Sequence, residues 1–303
     1  MSQSQLIIPA FAKINWSLRV LGKRPDGYHE IDTILQTISL HDTLTLARTN
    51  DKGICFTCDD RAIPSDETNL VWRAANALRE RYSIDAGVKI RLEKCIPSAA
   101  GLGGGSADAA ATLVALAELW SLKTSPSDLA LIAENLGSDV PFFFLGGTAR
   151  GTRRGEMIKP LDDAPERRFL IIKPNARVAT ASAYRALNSP TLTSSDSKPI
   201  LSRSQASDDS ASFDPGALHN DFEAVIFQLE PEIERAKNAL LKSGAHAAML
   251  CGSGSAVFGV FDNQDAQERA IQAIELETGW RAFPCKTVGR SEYRRAMGGL
   301  LLS

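Results

Sequence analysis

No apolar run in this 303-residue chain approaches the roughly 20 residues that a membrane-spanning helix needs. The first six residues are polar and lack the basic-then-apolar pattern of a secretory signal. Charge is nearly balanced: 34 Lys and Arg face 36 Asp and Glu, for a formal charge of −2. No bulk field therefore draws the chain to nucleic acid or to an anionic membrane, and any anionic ligand must be held by local groups. Cysteine is scarce, and five in a chain of this size do not form a disulfide framework. Cys55 and Cys58 make one CxxC, but the stretch around them reads as strand and no second CxxC follows, which argues against zinc. The four histidines, at 29, 41, 219 and 246, are too scattered for a metal set. A soluble, cytosolic protein with reduced thiols is expected.

The chain is 44% hydrophobic, enough for a substantial core and for two domains, which we expect at 1–164 and 165–303. The first hundred residues are strand-rich, with β-branched enrichment or alternation at 7–21, 31–40, 43–48 and 88–93. Apolar spacing predicts helices over 69–82, 107–119 and 127–136. Beyond a short apolar strand at 168–173, helices are expected at 220–229, 231–242 and 264–278, and strands at 247–250 and 256–261. That order predicts an α+β second domain with helices on one face of an antiparallel sheet. Residues 189–216 differ from the rest: Ser194-Ser195-Asp196-Ser197, Ser207-Asp208-Asp209-Ser210 and three prolines read as a solvated, mobile insertion.

Four segments carry chemistry. In Pro97-Ser98-Ala99-Ala100-Gly101-Leu102-Gly103-Gly104-Gly105-Ser106, glycines free the backbone to approach another group closely, just before an alanine-rich helix. Unpaired N–H groups and the positive end of a helix dipole make this a phosphate site; a plain glycine-rich turn is the alternative. No lysine sits within the loop, so it is not of the GxxxxGK(S/T) type. Asp139, in Gly137-Ser138-Asp139-Val140-Pro141, is an acid facing an apolar stretch and otherwise a helix cap. Gly252-Ser253-Gly254, between two apolar strands, is either a hairpin or a second backbone approaching the same phosphates. Lys13 sits inside an apolar strand, as an edge residue or as the partner of a charge in the site.

In this order the segments resemble the GHMP kinases. Four stretches narrow the likeness to members acting on a cytidine-diphosphate-linked sugar alcohol of the non-mevalonate isoprenoid route. These are Ala12-Lys13-Ile14-Asn15 with Arg24-Pro25-Asp26-Gly27-Tyr28-His29-Glu30, Asn69-Leu70-Val71, and Asn220-Asp221-Phe222-Glu223. The resemblance implies a two-domain α+β GHMP kinase fold, a mixed α/β domain followed by a ferredoxin-like one. It implies ATP bound along Pro97, Ala99, Ala100, Gly101, Leu102, Gly103, Gly104, Gly105 and Ser106, with Asn69 and Lys94 beside it. A solvated strand-end lysine is the alternative for Lys94.

By the same resemblance Asp139 accepts or orients the proton of the acceptor's tertiary 2-hydroxyl, with Lys13 as the adjacent cation. An ammonium beside a carboxylate keeps it ionised and able to accept a hydrogen bond. His29 and Tyr28 read the cytosine edge and Tyr184 stacks on its ring, a helix-surface aromatic being the alternative. Asn15 meets the erythritol or diphosphate portion, and Gly252 and Ser253 also face the substrate. Mg²⁺ is expected without an assigned ligand set; Glu134 or Asp108 could contribute. The chain departs from the family at Ala107 and Cys251, where small hydroxyl residues are frequent. A mevalonate- or homoserine-type kinase, or an inactive nucleotide sensor, remain alternatives. Oligomeric state is not readable.

Overall fold

The structure is a computed structural model, and it describes residues 5–187, 218–274 and 276–298. The polar segment at 189–216 lies outside the described residues.

Two long strands, β1 (Gln5–Lys23) and β2 (His29–Thr49), form an antiparallel ribbon along nearly their whole length. The two strands expected at 31–40 and 43–48 are thus one. The reason is that β2 keeps β1 throughout and changes its other neighbour midway. Residues 31–36 pair with β5 (Thr148–Arg153), and 43–49 pair with β4 (Gly87–Glu93). Strands β3 (Ile54–Cys58) and β6 (Met157–Pro160) complete this side of the sheet.

Helix α1 (Leu70–Tyr82) starts at Asn69, whose side chain accepts a hydrogen bond from the Val71 N–H. Helix α2 (Gly104–Leu119) is almost entirely buried, packed against α1, α3 (Pro126–Leu136) and the β1–β2 ribbon. Its alanines suit that role: small side chains let a helix be enclosed on all sides. It begins at Gly104 rather than at 107, so Gly104, Gly105 and Ser106 form its first turn. A single-turn α4 (Phe142–Leu145) follows.

The second sheet runs β11 (Arg281–Lys286), β7 (Arg168–Lys173), β10 (Val257–Phe261), β9 (Ala247–Leu250), all antiparallel as expected. Period-two alternation splits β7 between two cores. Leu170 and Ile172 join Ile233 and Leu240 of α7 (Pro231–Lys242) and Ile226 of α6 (Glu223–Leu229). Phe169 and Ile171 face the other way, packing with Ile14 and Trp16 of β1 and Phe258 of β10. The sheets therefore meet through β1, with the Trp16 and Phe169 rings 5.4 Å apart.

Two expected boundaries shift. Asn220 belongs to a short strand, β8 (His219–Asn220), which pairs in parallel with β1. It is not helical because its buried amide donates to the Leu250 and Gly252 carbonyls. Helix α8 (Gln264–Ala273) stops where Ile274 turns extended. Two more helices, α5 (Thr180–Ala186) and α9 (Arg290–Ala296), are too short for a periodic signal.

Helix α9 returns to the first core, where Val288, Tyr293 and Met297 are buried. The Tyr293 ring fills the space above Gly146, where an added Cβ would lie 2.1 Å from its Cδ1. Its hydroxyl donates to the Phe143 carbonyl at 2.5 Å. Among the described residues, no helix is long and apolar enough to cross a membrane.

Tyr293→Ala removes both the ring and that hydrogen bond. Chemical denaturation should show a loss of about 3–5 kcal/mol, the usual cost of deleting a large buried aromatic. A loss near zero would mean that the C-terminal helix is not part of the first core.

Candidate active site

Residues 97–103 run from the end of β4 to α2 and are held on both sides by backbone. On one side the Lys13 N–H of β1 donates to the Leu102 carbonyl at 2.9 Å. On the other, the Ala256 and Ser255 N–H groups donate to the Ala100 and Ala99 carbonyls at 3.1 and 3.3 Å. Gly101, at φ +77°, is packed so tightly that a Cβ would stand 1.8 Å from the Cys251 carbonyl oxygen. Gly103, at φ +71°, is the N-cap of α2 and makes no side-chain cap. A Cβ there would meet Phe143 and Lys13 within 3.0 Å. The first N–H groups of a 16-residue helix are thereby left for a ligand.

These groups line one cavity of about 980 Å³. Every residue expected from sequence to bind the nucleotide or the acceptor, or to react, reaches its wall: the loop 97–106, Lys13, Asn15, Tyr28, His29, Asn69, Lys94, Asp139, Tyr184, Gly252 and Ser253. Segments from both halves of the chain are brought together there.

Lys13 is buried, with its Nζ 3.5 Å from Asp139 Oδ2; the Asp139 side chain is 38% exposed. Asp139 is therefore neither buried nor a cap: the N-cap of α4 is Pro141, and no side chain caps that helix. A relay fixes the ammonium. Lys13 Nζ donates to Asn15 Oδ1 at 2.9 Å, Asn15 Nδ2 to Thr33 Oγ1 at 2.7 Å, and Thr33 Oγ1 to the Ser17 carbonyl at 2.6 Å. Each donor has one acceptor along this line, so Lys13 retains protons for Asp139 and for a ligand. The wall carried by Gly252 closes on the same ammonium, since a Cβ at 252 would lie 3.3 Å from Lys13 Nζ.

Lys94 is not the solvated strand-end lysine of the alternative reading. It is buried and paired with Asp42 and Asp108, and its Nζ lies 3.3 Å from where Gly104 would carry a Cβ. Burial alone would lower its pKa, but the two carboxylates outweigh that and raise it. Asp42 also accepts from the Cys95 and Ile96 N–H groups. Asp108 has an Oδ1 without a partner, and burial, aided by the Asp42 charge and opposed by Lys94, raises its pKa. Glu134 is exposed on α3 and does not line the cavity, so it is no metal ligand there. Asn69 borders the cavity, with its amide engaged by the Val71 N–H and the Pro64 carbonyl.

At the opposite end, the His29 and Tyr184 rings stack 4.6 Å apart at 24°. Tyr184 is further packed edge-on against Phe222 at 4.9 Å, so it is not a bare surface aromatic. Burial and then Lys23 lower the His29 pKa, favouring the neutral imidazole. Burial and then Asp139 push the Tyr184 hydroxyl up to about 12. The positions where the family often has hydroxyls matter little: Ala107 and Cys251 are buried and off the cavity wall. Sequence reasoning missed Thr33, Asp42, Arg154 and Arg185. Arg154, in Arg153-Arg154-Gly155-Glu156, had a detectable signal, a basic pair at a glycine turn. Thr33 and Asp42 matter through contacts made across the sheet, which no local pattern shows.

Residues 69–147 match the GHMP kinases N terminal domain and residues 201–278 the GHMP kinases C terminal domain. A 4-diphosphocytidyl-2-C-methyl-D-erythritol kinase of Solibacter usitatus is 44% identical over 95% of this chain and 92% of its own. A namesake of Moorella thermoacetica is 42% identical over 89% and 95%. A crystal structure of 4-(cytidine 5'-diphospho)-2C-methyl-D-erythritol kinase superposes with a TM-score of 0.76 and 34% identity, covering 94% of this chain and 100% of that one. The structure of L. major mevalonate kinase in complex with R-mevalonate has a TM-score of 0.70 at 14% identity over 95% and 97%, a likeness of fold alone.

Asp108→Asn keeps an acceptor for Lys94 but removes the proton site. Because the folded-state pKa of Asp108 is raised, its contribution to stability is complete below the unfolded value and is lost as pH rises toward the folded one. Thermal unfolding followed from about pH 5 to about pH 9 should show a shallower fall in Tm for Asp108→Asn than for the parent. Parallel curves would place an ionised Asp108 in the folded protein.

Proposed function

The chain belongs to the 4-diphosphocytidyl-2-C-methyl-D-erythritol kinases of the GHMP kinase family, and from that premise we infer how its cavity carries out the phosphoryl transfer. ATP lies with its phosphates over the 97–106 loop and the first turn of α2. The uncapped N–H groups supply the positive field that a loop lysine supplies in other nucleotide sites. The observation that carries this reading is Lys13 beside Asp139 at the mouth of that loop, 3.5 Å apart.

The acceptor's 2-hydroxyl sits against Asp139. Its oxygen forms the bond to the γ-phosphorus, its proton passes to the Asp139 carboxylate, and the bond between the γ-phosphorus and the bridging oxygen breaks to release ADP. Such transfers depend on position and charge neutralisation more than on covalent work by the protein. Lys13 neutralises the transferring group, and Asn15 and Thr33 hold Lys13 in place. The partial exposure of Asp139 suits it, because a solvated carboxylate stays available to a proton arriving late in the reaction.

The cytidine lies at the far end, with Tyr28, His29 and Tyr184. A neutral imidazole offers one donor and one acceptor, as a cytosine edge requires. The flat face of Tyr184 gives a stacking surface, and the base displaces or extends the present His29–Tyr184 stack.

Mg²⁺ accompanies the nucleotide. Among the described residues no group of three or more His, Cys, Asp or Glu could hold a metal, and the acidic side chains on the cavity wall are Asp108 and Asp139. Asp108, whose Oδ1 lacks a partner, would hold the ion beside the phosphates, giving up to solvent the proton that burial favours when no ion is bound. When bound, the ion offsets phosphate charge.

Asp139→Asn should lower kcat by about 10²–10⁴-fold, the usual contribution of a positioned base, while the KM for ATP stays unchanged. ADP release should follow addition of the cytidylated acceptor and not of mevalonate or homoserine. Turnover of either of those instead would overturn the acceptor assignment. Tight ATP binding without turnover of any of the three would mark a sensor.

A further inference from the structure

The acceptor assigned above carries a diphosphate between its base and its sugar alcohol, and Asn15, the side chain expected near it, is uncharged and engaged with Lys13 and Thr33. Lys13 is committed to the reaction centre, and Lys94 is enclosed by Asp42 and Asp108. Arg185 runs back along its own helix, donating to the Ala181 carbonyl at 3.3 Å and to Ser182 Oγ at 3.0 Å.

Arg154 is placed differently. It stands in the turn joining β5 to β6, and its side chain lines the cavity. Its guanidinium lies over the exposed Tyr28 ring, 4.8 Å from the centroid. The next residue, Gly155, faces the reaction centre: a Cβ there would lie 3.9 Å from Asp139 Oδ1. The turn itself is anchored, with the Arg154 N–H donating to Glu156 Oε2 at 2.8 Å and the Gly155 N–H to the Thr152 carbonyl at 3.0 Å. Arg154 Nε lies 3.5 Å from the enclosed Glu156 carboxylate, which sets the direction of the side chain. Arg154 thus spans the interval between the aromatic end of the cavity and Asp139, the interval that a diphosphate must cross.

We propose that Arg154 is the specificity-determining residue for the acceptor's diphosphate, binding it through the planar guanidinium fork while its flat face stays on Tyr28. Arginine is suited to this position because its fork pairs with two phosphate oxygens at once and its face stacks on an aromatic ring, whereas lysine offers only a point charge. The same contact orders Tyr28, which is otherwise a half-free ring at the cavity rim. This assignment rests on the cytidine-diphosphate reading of the acceptor, and the experiment below separates the two.

The parent is compared with Arg154→Gln and Arg154→Lys in steady-state kinetics, with calorimetric titrations of cytidine diphosphate and of cytidine. Arg154→Gln should raise the KM for the cytidylated acceptor by about tenfold to about a hundredfold, the worth of a charge-assisted hydrogen bond, with kcat, the KM for ATP and Tm unchanged. Its affinity for cytidine diphosphate should fall while that for cytidine holds, and Arg154→Lys should recover only part of the loss. An unchanged acceptor KM overturns the proposal. So does an equal loss for cytidine and for cytidine diphosphate, which would put Arg154 in the aromatic wall and not on the diphosphate. So does a matching fall in Tm. Failure of the parent protein to turn over the cytidylated acceptor would instead overturn the reading on which the proposal rests.

Discussion

The 97–103 loop has no side-chain means of holding itself, so its shape comes from backbone contacts on either side. From β1 it receives the Lys13 N–H; from the β9–β10 connection it receives the Ser255 and Ala256 N–H groups. Gly101 lies so close to Cys251 that no side chain fits between them. The connection is itself anchored from beneath, because Asn220 bonds the carbonyls of Leu250 and Gly252, and Ser255 Oγ bonds that of Ala176 at 2.7 Å. The 97–103 loop is thus shaped by both halves of the chain. This explains why β8 crosses back to β1: it delivers Asn220 to the place where the two glycine segments meet.

The same arrangement ties catalysis to the fold. The Lys13 backbone is bonded to the loop, so the strand that carries the ammonium is placed by the loop proposed to hold the phosphates. The Asn15–Thr33–Ser17 relay then fixes its remaining freedom by hydrogen bonds within the β1–β2 ribbon. An error of about an ångström in either strand would reach the reacting atoms, which is the degree of placement that phosphoryl transfer demands.

What was legible in the sequence was local. The glycine loop, the buried alanine helix, β7 and the β9–β10 pair follow from spacing and turn chemistry. The candidate residues likewise sit in short, distinctive segments, and those expected to bind or react all reach one cavity. What escaped depends on contacts across long intervals. The continuity of β2 is set by its exchange of β4 for β5, not by its own alternation. For Lys94 the sequence offers a nucleotide contact or a strand-end lysine and no carboxylate pairing, because its partners, Asp42 and Asp108, stand 52 residues before it and 14 after it. Asn220 looks helical by pattern, yet its amide is taken by carbonyls 30 and 32 residues away.

The cavity's charges divide along its length in a way that explains why the loop needs no lysine of its own. Among the described residues its wall carries Lys13, Lys23, Lys94, Arg154 and Arg185 against Asp108 and Asp139. Lys94, the cation at the α2 end, is already matched by two carboxylates and adds little field there. That end is left to backbone N–H groups, which bind anions without bringing a charge that would hold ADP after transfer. Lys23, Arg154 and Arg185 lie toward His29 and Tyr184, where on the proposed binding mode a diphosphate remains uncleaved and must stay in place through the reaction. On the proposed binding mode, tight ionic grip therefore falls on the group that is only held, and the softer dipolar grip falls on the group that has to leave.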